Sequence, residues 1–115
     1  MHVERHGPNG FSVHVGDGDD RGTAVTVFGE LDAATAPRLR QALDQLIDGE
    51  GEVLIDLRAC GFIDSAGIAV IATTALRLKE QGRRLVLRGV RERVRRILDI
   101  AGLSSQKSIV LEPAP

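Results

Sequence analysis

Aromatic side chains make up only 3% of the 115 residues, with no tryptophan and no tyrosine. The core must therefore be aliphatic. A stacking platform for single-stranded nucleic acid, which needs several exposed rings, is excluded. The single cysteine, Cys60, excludes an intramolecular disulfide framework and a multi-cysteine metal site, and reads as a small buried hydrophobe. Histidine is confined to His2, His6 and His14. A Ser/His/Asp triad would have to bring His14 to Ser65, and no Gly-x-Ser-x-Gly elbow surrounds that serine. The formal net charge is only −1, so no whole-chain field points to nucleic acid or membrane.

Long apolar runs are missing too. The most apolar stretch, Ile68 to Leu76, is broken by Thr73 and Thr74 and is too short to cross a bilayer. The polar start, Met1-His2-Val3-Glu4-Arg5-His6, has no signal-peptide core, so a cytoplasmic protein is expected. There is no Walker-type loop and no Gly-x-Gly-x-x-Gly. The acidic turn Asp17 to Gly22 superficially resembles a calcium loop. Arg21 and Phe28, however, stand at the fifth and twelfth places, where oxygen ligands are needed. Neither a metal nor a cofactor is expected, and no catalytic group is assigned.

What remains is ordinary globular usage, with 43% hydrophobic and 27% charged residues in 12.3 kDa, enough for one core. Residues 1–10 are expected to be a frayed N-terminal segment, 11–111 one domain, and 112–115 a tail. Phe11 to Val15 alternates as a half-wet strand, and Thr23 to Phe28 is a β-branched second strand. Leu39, Ala42, Leu43, Leu46 and Ile47 share one helical face. Thr35 stands at the cap position before it and Pro37 in the first turn. Val53 to Leu57 reads as a central strand, and Arg58 to Asp64 as a loop. Ile68, Ile71, Ala72, Ala75 and Leu76 mark a second helix, closed by Gly82. Leu85 to Leu87 is a short strand. Val90, Val94, Ile97, Leu98 and Ala101 mark a third helix, stopped by Gly102. Ile109 to Leu111 is a last strand. This alternation predicts an α/β domain on a mostly parallel sheet with helical crossovers.

Ligand sites on such sheets lie beyond the carboxyl ends of the strands. That directs attention to Phe62-Ile63-Asp64-Ser65-Ala66-Gly67-Ile68, which joins the central strand to the second helix. On these residues alone Ser65 reads either as a helix cap or as a functional hydroxyl. The basic block Arg77 to Arg96, with nine bases and two acids, reads as the solvated faces of two helices, with nucleic-acid contact as the competing use.

Two stretches carry a resemblance. Gly29-Glu30-Leu31-Asp32-Ala33-Ala34-Thr35-Ala36-Pro37 and Asp56 through Gly67, containing Asp64-Ser65-Ala66-Gly67, together resemble the STAS domain of bacterial anti-sigma-factor antagonists. Val94 through Leu103 is similar to that family's third helix and its closing Gly-Leu. The resemblance spans residues 11 to 111. It implies a non-enzymatic partner of an anti-sigma factor that is also a GHKL-type serine kinase. Binding would free a sigma factor, phosphorylation of Ser65 would end binding, and a PP2C-type phosphatase would reset the switch. Ala66 stands where many members carry a second hydroxyl residue.

The expected partner patch is Asp32, Thr35, Asp64, Ser65, Gly67 and Ile68, with Ile68 also fitting the core. Gly67 is expected to let a partner backbone approach closely. Two alternatives remain open. One is a STAS subunit of a membrane transport assembly; the other is a nucleotide- or nucleic-acid-binding module using the Arg77 to Arg96 block.

Overall fold

The computed structural model describes residues 2–4, 10–17 and 22–114. Six strands lie in one sheet in chain order: β1 (His2–Glu4), β2 (Ser12–Asp17), β3 (Gly22–Leu31), β4 (Glu52–Ile63), β5 (Leu85–Val90) and β6 (Ile109–Pro113). The first three pair antiparallel, and β3 through β6 pair parallel. Each parallel neighbour is reached through one helix: α1 (Ala36–Asp44), α2 (Ser65–Glu80) and α3 (Glu92–Ile100). This is the α/β architecture that the alternation predicts.

Crossovers of one hand that always step in the same direction leave every helix on the same face. The buried residues of all three helices accordingly join Val25, Val27, Val53, Ile55, Leu57, Leu85 and Leu87 in one aliphatic cluster. The opposite face carries a smaller stripe, Ala24, Leu54 and Val86 with Val110 against it. Beside that stripe the register aligns Thr26, Asp56, Arg88 and Glu112. Burial alone would raise the Asp56 carboxyl, but hydrogen bonds and charge from Arg58 outweigh it and hold it below the ordinary value of 3.8.

Several boundaries differ from the sequence reading. Arg58 to Ile63 is not a loop but the second half of β4, which β3 follows to the pair Leu31–Ile63 through two register shifts. Those shifts break the two-residue alternation by which the extension could have been read. Val90 closes β5 instead of opening α3. Leu76 is 56% exposed, because the stripe that faces the sheet runs through Gly67, Val70, Ile71, Thr74, Ala75 and Leu78, and Leu76 lies to one side of it. Ala101 likewise caps α3 on the outside. Residues 2–4, expected to be frayed, form β1 on the antiparallel edge; three residues are too few to show a period. Gly82 and Gly102 do end α2 and α3 where expected, at φ of 72° and 82°, a conformation costly for other residues. Residues 18–21 of the acidic turn lie outside the described residues.

Candidate functional site

The four parallel strands end at one edge of the sheet, and the residues singled out by sequence gather there. β3 and β4 stay paired to Leu31 and Ile63, so Asp32 and Asp64 are the next residues on neighbouring strands. The Asp64 N–H donates to the Leu31 carbonyl at 2.9 Å, which fixes the two loops side by side.

Asp32 folds back on its own loop. Its Oδ1 accepts from the backbone N–H of Ala34 at 3.0 Å and of Thr35 at 3.1 Å. The Thr35 hydroxyl donates to the Glu30 carbonyl at 2.7 Å and accepts from the Asp32 N–H at 2.9 Å, with Asp32 Oδ1 at 3.1 Å. Thr35 is 1% exposed. The two roles expected of it therefore need correcting: its side chain makes no capping bond to α1, and it offers nothing to a partner. The backbone carbonyl at the end of β3 draws the hydroxyl inward, and Thr35 holds the shape of the Asp32 loop from beneath.

Across the groove Asp64 caps α2. Its Oδ1 accepts from the N–H groups of Ala66 at 2.8 Å and Gly67 at 3.3 Å. Ser65 is consequently the first helical residue, not the cap, and it is exposed. The helix end makes no demand on its hydroxyl, which removes the cap reading. Gly67 also departs from expectation. It is buried, and a Cβ there would lie 2.7 Å from Ile63 Cγ1 and 3.0 Å from Leu31 Cβ. The close approach that requires glycine is that of α2 to the sheet, not that of a partner. Ile68 is half-buried and packs on the core while also lining the surface beside Ser65.

Two shallow apolar depressions lie along the first turns of α2, one of them lined by Ser65. One, of about 250 Å³, lies between Asp64, Ser65 and Ile68 of the α2 start and Ile97, Ile100 and Ala101 of α3. The other, of about 330 Å³, lies between Ala33, Pro37 and Arg40 on one side and Ala66 and Ala69 on the other. Ile100 is 86% exposed, a large aliphatic side chain left in water next to the serine. Sequence reasoning missed the α3 half of this surface. Its signal was Ile100 itself, an isoleucine off the buried stripe of its helix.

The competing sites are weaker. Within the basic block, Arg77 pairs with Asp44, Arg84 with Glu52, Arg88 with Glu112, Arg95 with Asp99 and Arg96 with Glu92. Arg83 is spent on the Gly51, Ile47 and Leu46 carbonyls at 2.7, 2.8 and 3.4 Å. Much of that charge is neutralised within the chain. Cys60 is buried, and burial pushes its thiol up, away from the reactive thiolate. Among the described residues no group of three or more His, Cys, Asp or Glu could hold a metal, and no helix is long and apolar enough to cross a membrane.

With this geometry in place, known proteins can be compared. The family model described as "Mlab, STAS domain" matches residues 15–112. An anti-sigma-B factor antagonist from Listeria monocytogenes is 36% identical over 94 residues, covering 81% of this chain and 82% of that one. The anti-sigma-B factor antagonist of Bacillus subtilis is 37% identical over 79 residues, covering 69% and 72%. A crystal structure of an anti-sigma factor antagonist from Mycobacterium paratuberculosis matches with a TM-score of 0.74 and 35% identity, covering 93% of this chain and 89% of that one. A sulfate transporter family protein from Wolinella succinogenes, at 19% identity, TM-score 0.66 and coverage of 78% and 75%, shares the fold alone. The matched region contains both aspartate loops and all three helices, and the chain therefore belongs to the STAS domain family.

Proposed function

We propose that this chain is an anti-sigma-factor antagonist, a cytoplasmic and non-catalytic binding module switched by phosphorylation of Ser65. It docks the surface around Ser65 onto an anti-sigma factor with GHKL-type serine kinase activity and so frees a sigma factor. The partner brings ATP and magnesium. The γ-phosphoryl group passes to Ser65 Oγ, the hydroxyl proton is lost, and ADP leaves. A PP2C-type phosphatase hydrolyses the ester and restores binding. The curated relatives named as anti-sigma-B factor antagonists support this reading.

One observation carries it: Asp64, not Ser65, closes the helix, and the serine stands exposed on the rim of an apolar depression. The partner patch is Asp64, Ser65 and Ile68, extended to Ile97 and Ile100. Asp32 faces the same edge, while Thr35 and Gly67 serve it from below.

A hydroxyl in an interface is easily satisfied. A phosphate in the same place adds close to two charges, which must lose water at a cost of several kcal/mol per ion unless paired. A loss of about 3 kcal/mol is more than a hundredfold in affinity. The test is mass spectrometry of Ser65 after incubation with candidate anti-sigma kinases and ATP. Calorimetric titration of the wild-type and Ser65→Asp proteins accompanies it. Expected are one phosphate on Ser65 and a large loss of affinity with an unchanged circular-dichroism spectrum. Phosphorylation elsewhere, or equal binding of both forms, overturns the proposal.

A further inference from the structure

The carboxyl edge of the sheet carries a second feature. Beyond the ends of β5 and β6 lies a cleft of about 580 Å³, lined by Val90, Arg91, Glu92, Arg95, Pro113 and Ala114. Its base is held in place by the Ala114 N–H, which donates to the Val90 carbonyl at 3.0 Å. Its walls carry two guanidinium groups. Arg91 is exposed and makes no ion pair with a described residue, in contrast to the paired arginines of the same block. Arg95 is held only at 4.0 Å by Asp99. Glu92, the one acid on the wall, lies 3.6 Å from Arg96, one helical turn further along α3. The Arg91 guanidinium also reaches back over β4, to 4.0 Å from where a Cβ on Gly61 would stand. It thus lies between the cleft and the strand that leads to Ser65.

We propose that this cleft is a second docking point, and that its occupant is an acidic segment of the same anti-sigma partner. That segment would set carboxylates against Arg91 and Arg95 and an aliphatic side chain on Pro113 and Ala114. This inference rests on the proposed function for the identity of the partner. Charge complementarity and continuity with the Ser65 edge favour this occupant. A nucleic acid fits less well, because no aromatic ring lines the cleft for a base to stack on. Exposed charge pairs of this kind act mainly on association rate and are weakened by salt.

The experiment has two arms. In the first, amide NMR spectra of the isolated chain are recorded with a short peptide of alternating leucine and glutamate, and with its lysine counterpart. Saturable shifts at Val90, Arg91, Glu92 and Ala114 with the acidic peptide alone, diminished by salt and absent in Arg91→Ser/Arg95→Ser, are expected. No shifts, equal shifts with the lysine peptide, or equal shifts with an oligothymidylate overturn the assignment. In the second arm, the same double variant, checked for an unchanged urea midpoint, is titrated against the anti-sigma factor. A loss of about five- to tenfold at low ionic strength, shrinking at high salt, is expected. Unchanged affinity and salt dependence, alongside a Ser65→Asp variant that fails to bind, would sink the cleft and leave the proposed function standing. Wild-type protein that binds no anti-sigma factor, with the peptide arm positive, would remove the proposed function and the named partner together.

Discussion

Replacing Gly67 with alanine tests whether the sheet sets the position of the Ser65 surface. The added methyl would meet Ile63 Cγ1 at 2.7 Å, Leu31 Cβ at 3.0 Å and Ile63 Cδ1 at 3.1 Å. Leu31 Cβ is fixed to the backbone of β3, and the Ile63 side chain, 1% exposed, has no free space to rotate into. Overpacking of this kind costs about 1–3 kcal/mol. Exchanging glycine for alanine in a helix returns at most about 1 kcal/mol. The net expectation is a loss of about 0.5–2 kcal/mol, or roughly 4 °C in melting temperature per kcal/mol for a domain of this size. Urea denaturation followed by far-ultraviolet circular dichroism measures it.

Ile63→Ala removes two of the three obstructing atoms and alone costs about 2–5 kcal/mol. In the double variant the Gly67→Ala methyl enters the space so made, and the losses should sum to less than their parts by about 0.5–2 kcal/mol. A Gly67→Ala protein as stable as wild type, or strict additivity in the pair, refutes the argument. It would return Gly67 to the partner surface.

The buried hydroxyl of Thr35 serves two backbone groups, so Thr35→Val should cost about 1–3 kcal/mol and Thr35→Ser much less, read from the same denaturation curves. Arg83 joins the chain after α1 to the start of β5 through a forked set of carbonyl contacts. A lysine cannot reproduce that fork, so Arg83→Lys should lose about 1 kcal/mol, nearly as much as Arg83→Ala. Asp56, whose folded pKa is depressed, stabilises the fold fully above its ordinary value of 3.8 and loses that contribution as pH falls through the lower folded value. The stability gap between wild type and Asp56→Asn should therefore be constant near neutral pH and close in strongly acidic buffer. A gap that widens on acidification contradicts the ion-pair account.

Much of the architecture was legible because burial leaves periodic marks. Leu39, Ala42 and Leu43, and likewise Val94 and Leu98, lie on their helices where the spacing puts them, under the sheet's single helical face. β4 was legible only to Leu57. Beyond it two register shifts destroy the alternation, and the strand is held by the length of its neighbour and not by a pattern of its own. Parallel topology directed attention to the Asp64–Ser65 loop and the resemblance added Asp32; the structure sets the two loops side by side. Their internal roles were only partly legible, since Thr35 and Ser65 both look like caps by residue type; Thr35 was misread, and the two readings of Ser65 stayed open. Which oxygen reaches which N–H depends on the angle at which each loop leaves its strand. Ile100 and the cleft at Arg91 escaped notice because surfaces built from two helices and two strand ends have no footprint in a linear pattern.

The arrangement of caps explains why a charge at Ser65 can be neutral to the fold and yet large for a partner. The helix end offers little extra, because Asp64 Oδ1 already occupies the Ala66 and Gly67 donors and the Ile68 N–H is bonded to the Asp64 carbonyl. An anion on Ser65 keeps only the long-range part of the helix-end attraction, worth about 0.3–1 kcal/mol at an exposed position. It faces the carboxylates of Asp64 and Asp32 at the same edge, whose repulsion in water is of similar size and opposite sign. The two terms nearly cancel, and salt screens both. In the proposed complex, water would be removed from the Ile68 and Ile100 surface beside the serine, and the screening would go with it. The same charge would then meet low dielectric and two acids, with the Ala66, Gly67 and Ile68 donors of its helix already taken. The proposed phosphate on Ser65 would thus be almost silent in the free chain and expensive only when docked, which a reversible release signal requires and a destabilising one could not provide.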